Sequence, residues 1–155
     1  MPEKYPVSLI RFTLALDDPD LPSPRYHTTI FVETEIDGSG WLHQVNGDIT
    51  SPGGMQYDPK FSSKPEDTEN FYSSAPLGVT DASIYPSAWN ALLRGLPAPP
   101  RQKAFNTKTF KTEPFKTLEP LTFYEPGEPR RPLVKCTEWT LNGAIPALRS
   151  AGLIQ

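Results

Sequence analysis

Hydrophobic and polar residues alternate along residues 10–16, where every second side chain is large and apolar. This period of two predicts a half-buried β-strand. Residues 26–35 are rich in Thr, Ile, Phe and Val, a composition that favours a second strand, and residues 41–45 predict a third. Between them, the Asp-Gly-Ser-Gly sequence at 37–40 is typical of a turn. The pattern therefore predicts an antiparallel hairpin over residues 26–45.

Further short strands are predicted in the middle of the chain. Residues 55–57 and 118–124 each favour one of them. Residues 71–79 favour a longer strand, but Pro76 within it cannot donate a backbone hydrogen bond to a neighbouring strand. We therefore expect that strand at a sheet edge or at a β-bulge.

Two helices are predicted in the second half of the chain. Ser87 is a capping residue type and precedes a helix expected over residues 88–96. Another helix begins near Cys136 and continues toward the C-terminus, and the Asn-Gly pair at 142–143 and Pro146 are expected to kink or divide it. Strands followed by a middle helix and a C-terminal helix predict an α+β fold with a small, mostly antiparallel sheet.

Proline is the most unusual feature of the composition, with 19 prolines among 155 residues. This is more than twice the usual share of about 5%, so we expect short elements joined by long ordered loops. The length and a hydrophobic content of 37% suit a single domain, residues 1–155, with a Pro-rich loop region at about 97–132. We interpret four aromatic residues of that region as anchors that pin the loop to the core: Phe105, Phe110, Phe115 and Phe123.

The charge balance argues against a protein that binds nucleic acid. The net charge is −3 and the pI is near 5.4, whereas such proteins normally carry a basic stripe. Residues 101–116 are locally basic, and we interpret them as a solvated face rather than a site for an anionic partner. Arg11 interrupts the only apolar run, so we expect no signal peptide, no membrane span and a cytoplasmic location. No oligomeric state is predicted.

The side chains with reactive chemistry are few: one cysteine, Cys136, and two histidines, His27 and His43. One cysteine cannot form an internal disulfide, and these three residues lack the close spacing of a metal site, so neither a metal nor another cofactor is expected. A lone cysteine is usually a small buried hydrophobe. At a helix start, however, the dipole and the free N–H groups stabilise a thiolate and can bind an oxyanion. Cys136 with a histidine base is therefore a candidate nucleophile.

Three segments together resemble a known family. Residues 26–32, Tyr-His-Thr-Thr-Ile-Phe-Val, lead through a Gly-containing turn to Trp-Leu-His at 41–43, and Cys-Thr-Glu-Trp follows late in the chain at 136–139. This order, with the histidines first and the cysteine last, resembles the permuted NlpC/P60 papain-like superfamily. That superfamily includes the lecithin:retinol acyltransferase-like enzymes.

The resemblance implies a permuted papain-like domain with three catalytic residues. Cys136 is the implied nucleophile, His27 the general base and His43 the polar residue that orients His27. It also implies a covalent acyl-enzyme formed on a small-molecule or peptide acyl substrate with an amide, ester or thioester bond. We therefore expect a cysteine-dependent hydrolase or acyltransferase.

The spacing of the two histidines leaves the orienting residue open. His27 and His43 are sixteen positions apart. If residues 38–39 form a tight turn, the two imidazoles lie about 20 Å apart, at about 3.3 Å per strand residue. A wider loop brings His43 back toward His27; otherwise Asp48 is the better candidate. We favour His43.

A second function class is also open: a non-catalytic protein- or ligand-binding module that retains the fold. Its contact surface would be the Pro-rich region 97–132, because irregular, aromatic-containing segments adapt to partners. Exposure of Phe105, Phe110 and Phe115 would favour this alternative, and burial of the three against the sheet would remove its main support.

Overall fold

The computed structural model describes residues 3–16 and 18–155 and has a mixed α+β architecture. The described strands are β1 (Lys4–Thr13), β2 (Tyr26–Glu33), β3 (Gly40–His43), β4 (Val45–Gly47), β5 (Met55–Tyr57), β6 (Lys60–Ser62), β7 (Phe71–Asp81), β8 (Lys103–Asn106), β9 (Lys111–Thr117) and β10 (Thr122–Phe123). The helices are α1 (Ser87–Gly95), α2 (Cys136–Glu138) and α3 (Ile145–Ser150), with a 3₁₀ turn at Pro65–Asp67 and a π-helical segment at Trp139–Ala144. The main sheet is antiparallel and has five strands in the order β6-β3-β2-β1-β7. The predicted α+β class with mostly antiparallel sheets is confirmed.

The predicted hairpin is formed by β2 and β3, and a long connection sets its register. Ile30 pairs with His43, and Val32 pairs with Trp41. Residues 34–39 lie between the two strands, so the connection is wider than a tight turn at 38–39. The wider loop brings the start of β3 back along β2, and the two histidines are less offset than a tight turn would make them.

β1 begins and ends earlier than the alternating pattern predicts. It spans Lys4–Thr13 rather than residues 10–16, and its pairing with β2 ends at Thr13. Leu14 and Leu16 continue the alternation beyond the strand but are 41% and 86% exposed. The alternating pattern extends beyond the end of the strand because a strand needs a paired neighbour as well as apolar side chains.

The proline-containing strand lies at a sheet edge and contains a bulge, as predicted. β7 is the last strand of the main sheet and has a strand neighbour, β1, on one side. Its register shifts between Val7, which faces Gly78, and Ser8, which faces Pro76. Because an edge position and a bulge both remove the demand for a backbone donor, the proline is accommodated.

The two faces of the main sheet bury separate hydrophobic clusters. Ile30 and Val32 of β2 face the larger cluster, which includes Trp89 of α1 and Leu148 of α3. Phe31 belongs to a smaller cluster with Ile10, Phe12 and Leu42. Since successive strand residues point to opposite faces, the sheet separates a helix-covered core from a smaller apolar layer.

The Pro-rich region is more ordered than the predicted loop. It contains a three-stranded antiparallel sheet in the order β10-β9-β8. The interpretation of its phenylalanines as core anchors is wrong for Phe105 and Phe110, which are 51% and 78% exposed. Ala104 and Asn106 are buried on one face of β8. Alternation places Phe105 on the opposite face, where its ring is exposed. Phe110 follows in the β8–β9 turn, with a φ of 58° that bulky residues rarely adopt.

The last helix is continuous from Cys136 to Ser150 but not uniform. α2 and α3 are separated by the π-helical segment, so the predicted division takes the form of a wider turn. Pro146 has no N–H group to bond to the carbonyl of Asn142, and a wider turn before it removes the need for that bond. No helix among the described residues, this one included, has the length and apolar character needed to cross a membrane.

Replacement of Gly40 tests the hairpin register. A Cβ at this position would lie 2.0 Å from the carbonyl oxygen of Val32, so Gly40→Ala forces β3 away from β2. We expect urea unfolding to show a loss of about 1–3 kcal/mol. The matched control is Gly95→Ala at the end of α1, where nothing lies within 4 Å of the added atom. The control should gain up to about 1 kcal/mol from helix propensity; equal losses in both variants would contradict this register.

Candidate active site

Cys136 lies where the last helix meets the free side of β2. β3 pairs with β2 only from Ile30 onward, so the preceding residues of β2 are open on that side. α2 and the π-helical segment that follows it fill the space: the hydroxyl oxygens of Thr137 and Thr28 are 2.9 Å apart, and Thr140 Oγ1 donates to the Thr28 carbonyl at 3.3 Å. These bonds hold the first turn of the helix, and therefore the Cys136 thiol, beside β2.

His27 is held from two sides. Its Nε2 lies 2.8 Å from the amide oxygen of Gln44, so Nε2 carries a hydrogen and donates it. Nδ1 is then the nitrogen left to interact with Cys136, whose thiol lines the same pocket as His27 and donates to the Tyr26 carbonyl oxygen at 3.8 Å. The ring also stacks on Phe12, with centroids 6.3 Å and planes 28° apart. The structure thus brings Cys136 and His27 together and places Gln44 behind the imidazole.

The surroundings shift the pKa values of the thiol and the imidazole in opposite directions. Burial raises the pKa of Cys136, but hydrogen bonds from His27 and the Thr28 N–H, with the charges of His27 and Arg25, lower it overall. Burial lowers the pKa of His27, but its bonds to Cys136 and Gln44 and the thiolate charge raise it overall. Both shifts favour the thiolate–imidazolium pair, which is the nucleophilic form of a cysteine.

Glu138 fixes the start of the helix that carries Cys136. Its carboxylate accepts two hydrogen bonds from the guanidinium of Arg25, at 2.8 and 3.1 Å, and one from the Lys135 backbone N–H at 2.8 Å. A glutamate at the third helical position commonly bonds back in this way. The ion pair is largely shielded from water, which strengthens it and keeps a positive charge near the thiol. The sequence pointed to the Cys-x-Glu run, but not to Arg25.

His43, predicted to orient His27, lies on the opposite, helix-covered face of the sheet. Its Nδ1 is 2.6 Å from the Tyr57 hydroxyl and its Nε2 is 2.7 Å from the Tyr85 hydroxyl. Tyr57 donates its own hydrogen to Asn90 Oδ1 at 2.9 Å, so it accepts from Nδ1–H, and Nε2 accepts from Tyr85. Burial lowers the pKa of His43 to about 3. His43 is therefore a neutral core residue in a chain of hydrogen bonds, and it does not contact His27.

Gln44 occupies the position expected for the orienting residue, and neither His43 nor Asp48 does. Asp48 is exposed and its carboxylate accepts two backbone N–H bonds within its own turn. Strand alternation is the signal that identifies Gln44: once His43 is on the face of Ile30, its neighbour Gln44 shares the face of His27. Finding it from sequence required the length of the hairpin loop, which the turn pattern did not specify.

His27 borders two pockets, and Cys136 borders one of them. One, of about 130 Å³, is lined by Cys136, by His27 and by several aliphatic side chains, including Leu14, Leu21 and Met55. The other, of about 300 Å³, lies on the far side of His27 beside Gln44. A substrate bound across His27 would reach both. Within residues 3–16 and 18–155, no three His, Cys, Asp or Glu side chains are grouped as metal ligands would be.

A family model described as a family of unknown function, DUF6540, matches residues 14–155. The chain belongs to the DUF6540 family. The matched part contains His27, Gln44 and Cys136, so these three residues lie within the DUF6540 domain, whereas Phe12, which stacks on His27, lies just before it. No curated protein and no solved structure matches the chain.

The buried His43 predicts a pH-dependent stability of the DUF6540 domain. Its pKa is about 3 in the folded protein and about 6.5 when unfolded, so between these values the unfolded chain alone takes up the proton. Stability is therefore full above the unfolded pKa and falls as the pH decreases. From about pH 7 to pH 5 we expect the contribution of His43 to the free energy of unfolding to fall by about 2 kcal/mol.

The control for this prediction is His43→Gln, which removes the titrating group. Its overall stability should be lower, because the Tyr57 and Tyr85 hydroxyls lose their partner. Its loss between the same two pH values should be smaller than that of the wild type. Parallel pH profiles of the two proteins in urea unfolding would show that His43 is not the group responsible.

Proposed function

We propose that the protein is a cysteine-dependent hydrolase or acyltransferase with a permuted papain-like arrangement. The observation that carries the proposal is the position of His27: it lines one pocket with Cys136 and lowers the thiol pKa, and its Nε2 donates to Gln44 at 2.8 Å. A nucleophile, a base and a residue that orients the base are the three parts that nucleophilic catalysis requires. The order along the chain, with the histidine on a strand and the cysteine later at a helix start, also supports the permuted assignment.

In the first half-reaction, the Cys136 thiolate attacks the carbonyl carbon of the substrate and forms a C–S bond. The carbonyl electrons move onto oxygen, and the Cys136 N–H, which has no acceptor within the helix, is placed to bind that oxyanion. The tetrahedral intermediate collapses when the bond to the leaving group breaks. The His27 imidazolium donates its Nδ1 proton to the leaving nitrogen, oxygen or sulfur. A thioester on Cys136 remains.

In the second half-reaction, neutral His27 accepts a proton from water or from another acceptor as that molecule attacks the thioester. The C–S bond breaks, the acyl product leaves, and the thiolate–imidazolium pair is restored. Gln44 keeps Nε2–H engaged throughout, so that Nδ1 stays directed toward the reacting atoms. Water gives a hydrolase, and an amine, alcohol or thiol gives an acyltransferase. Amide, ester and thioester substrates all fit this scheme.

The reactivity of the thiol tests the proposal directly. Since Cys136 is the only cysteine, alkylation by iodoacetamide, followed by intact mass, reports on this residue alone. We expect labelling with an apparent pKa below the value of about 8.5 for a free thiol. In His27→Ala the apparent pKa should rise, and release of nitrophenol from a p-nitrophenyl ester should be abolished while the fold is retained. Labelling of the wild type that occurs only on unfolding would contradict the proposal.

Substitution of Gln44 tests the orienting role. Gln44→Ala removes the acceptor for Nε2–H, so we expect a slower p-nitrophenyl ester reaction, with a loss of tenfold or more. The loss should stay below the roughly 10⁴-fold effect of disabling a charged triad aspartate, because an amide carries no charge. Gln44→Glu retains the acceptor and should retain activity. Asp48→Asn is the matched control and should behave as wild type; a loss there equal to that of Gln44→Ala would contradict the assignment.

A non-catalytic binding module is the second candidate function. The three-stranded sheet of β8, β9 and β10, called the small sheet below, favours it. Phe105 and Phe110 are exposed at the β8–β9 hairpin, with ring centroids 6.4 Å apart. The left-handed backbone of Phe110 is a conformation that persists only when surrounding contacts impose it, and such positions are common at binding sites. Phe115 is half-buried and gives weaker support. An unreactive Cys136 together with loss of partner binding in Phe110→Gly would favour this function.

A further inference from the structure

A separate cavity lies between the small sheet and the extended segment 131–134 that leads to Cys136. Its volume is about 230 Å³. Its walls are mainly apolar rings, among them Pro114, Phe115, Tyr124 and Pro132. Val134 borders this cavity, whereas Lys135 borders the pocket at Cys136. Since the backbone at Lys135 is extended, with φ −131° and ψ −157°, successive side chains point to opposite sides, and the two cavities are distinct.

The cavity is positively charged. Two arginines line it, Arg101 and Arg131, and no acidic side chain does. Arg131 is already engaged: its Nε donates to the Tyr124 hydroxyl at 3.0 Å, and its Nη2 donates to the carbonyls of Phe115 and Lys116. Arg101, by contrast, has neither an ion-pair nor a side-chain hydrogen-bond partner within 3–16 and 18–155, and its Nε is buried without an acceptor.

We propose that this cavity binds the carboxylate of a small organic acid with an apolar body. Arg101 lines the cavity, its guanidinium has no other partner within 3–16 and 18–155, and its terminal N–H groups are donors of the kind that pairs with a carboxylate. The rings of Phe115 and Tyr124 provide flat apolar walls for the body of the ligand. One free guanidinium suits a singly charged group, whereas a phosphate would require further donors.

The cavity is mechanically connected to the candidate active site. The side chain of Gln102 bonds to the backbone of Val134 in both directions, donating from Nε2 to the carbonyl at 2.7 Å and accepting from the N–H at 2.8 Å. Val134 is two residues before Cys136. A ligand packed against Val134 therefore stabilises the same segment that Gln102 clamps. We expect occupancy to order the approach to Cys136 and to increase the reactivity of its thiol.

Binding is tested first, with Cys136→Ser so that catalysis plays no part. The probes are 3-phenylpropionate and the neutral 3-phenylpropanamide, followed by heteronuclear NMR titration. We expect the carboxylate to bind about tenfold more tightly than the amide, and Arg101→Gln to remove that difference. Arg149→Gln, an arginine outside the cavity, is the matched control and should preserve it. Equal binding of the two probes, or an unchanged preference in Arg101→Gln, overturns the site.

The connection is tested separately by iodoacetamide labelling of the wild type with and without 3-phenylpropionate. We expect occupancy to increase the labelling rate about fivefold, and Gln102→Ala to abolish the increase at a 3-phenylpropionate concentration that saturates the variant in the NMR titration. An unchanged rate despite demonstrated binding overturns the connection. Because binding is measured without the thiol, failure of the site and failure of the catalytic proposal are distinguishable: the second leaves Cys136 unreactive and carboxylate binding intact.

Discussion

The register of the β2–β3 hairpin is the constraint on which the rest of the site depends. Because the connection between the strands is wide, β3 begins opposite the end of β2 and stops pairing at Ile30. The residues of β2 before Ile30 are left with backbone groups that need partners. The last helix supplies two of them: the Thr137 hydroxyl donates to the Tyr26 carbonyl and the Thr140 hydroxyl to the Thr28 carbonyl. A register one residue different would reverse which side chains of β3 face His27. The hairpin thus positions both the orienting amide and the docking place of the cysteine.

The same register explains why His43 and Gln44, which are adjacent in the chain, have different surroundings. His43 faces the helix-covered core, where burial depresses its pKa and two tyrosines satisfy its nitrogens. Gln44 faces the other way and meets the imidazole of His27. Alternation along a strand therefore separates a group that serves stability from one that serves the site. Histidine is the more common catalytic residue type, yet His43 is the one of the two that lies on the face away from His27.

Opposing effects decide the charge state of the Cys–His pair. Burial alone would hold the thiol protonated and the imidazole neutral. The interaction with His27, the Thr28 N–H and the charge of Arg25 together outweigh the effect of burial on the pKa of Cys136. Arg25 acts from a fixed position because Glu138 binds it with two hydrogen bonds. The pair is therefore protected from solvent and still polarised, a combination that requires every one of these partners to be held in place.

Local pattern was sufficient for some of the elements, and it was insufficient where loop length or tertiary contact decided the outcome. The hairpin strands, the edge strand with Pro76 and the divided final helix follow from alternation, from the missing proline N–H and from the Asn-Gly pair. Gln44 was missed because the turn residues alone do not determine the loop length. Without that length, the side chains of β3 cannot be assigned to one face of the sheet or the other. Arg25 was missed because its partner, Glu138, is more than a hundred residues away in sequence. The ordered structure of the Pro-rich region depends on pairing between β8 and β9. No alternation of apolar and polar residues in the sequence predicted this pairing.

The π-helical segment gives the final helix two independent orientations. An α-helix turns its side chains by about 100° per residue, and a π turn inserts one residue without interrupting the axis. The first part can therefore face β2 through Thr137 while the last part buries Leu148 in the core. In a uniform α-helix these two faces would be tied to each other. The inserted residue uncouples them, so the direction of the thiol and the packing of the C-terminal turn can be adjusted separately within one continuous element.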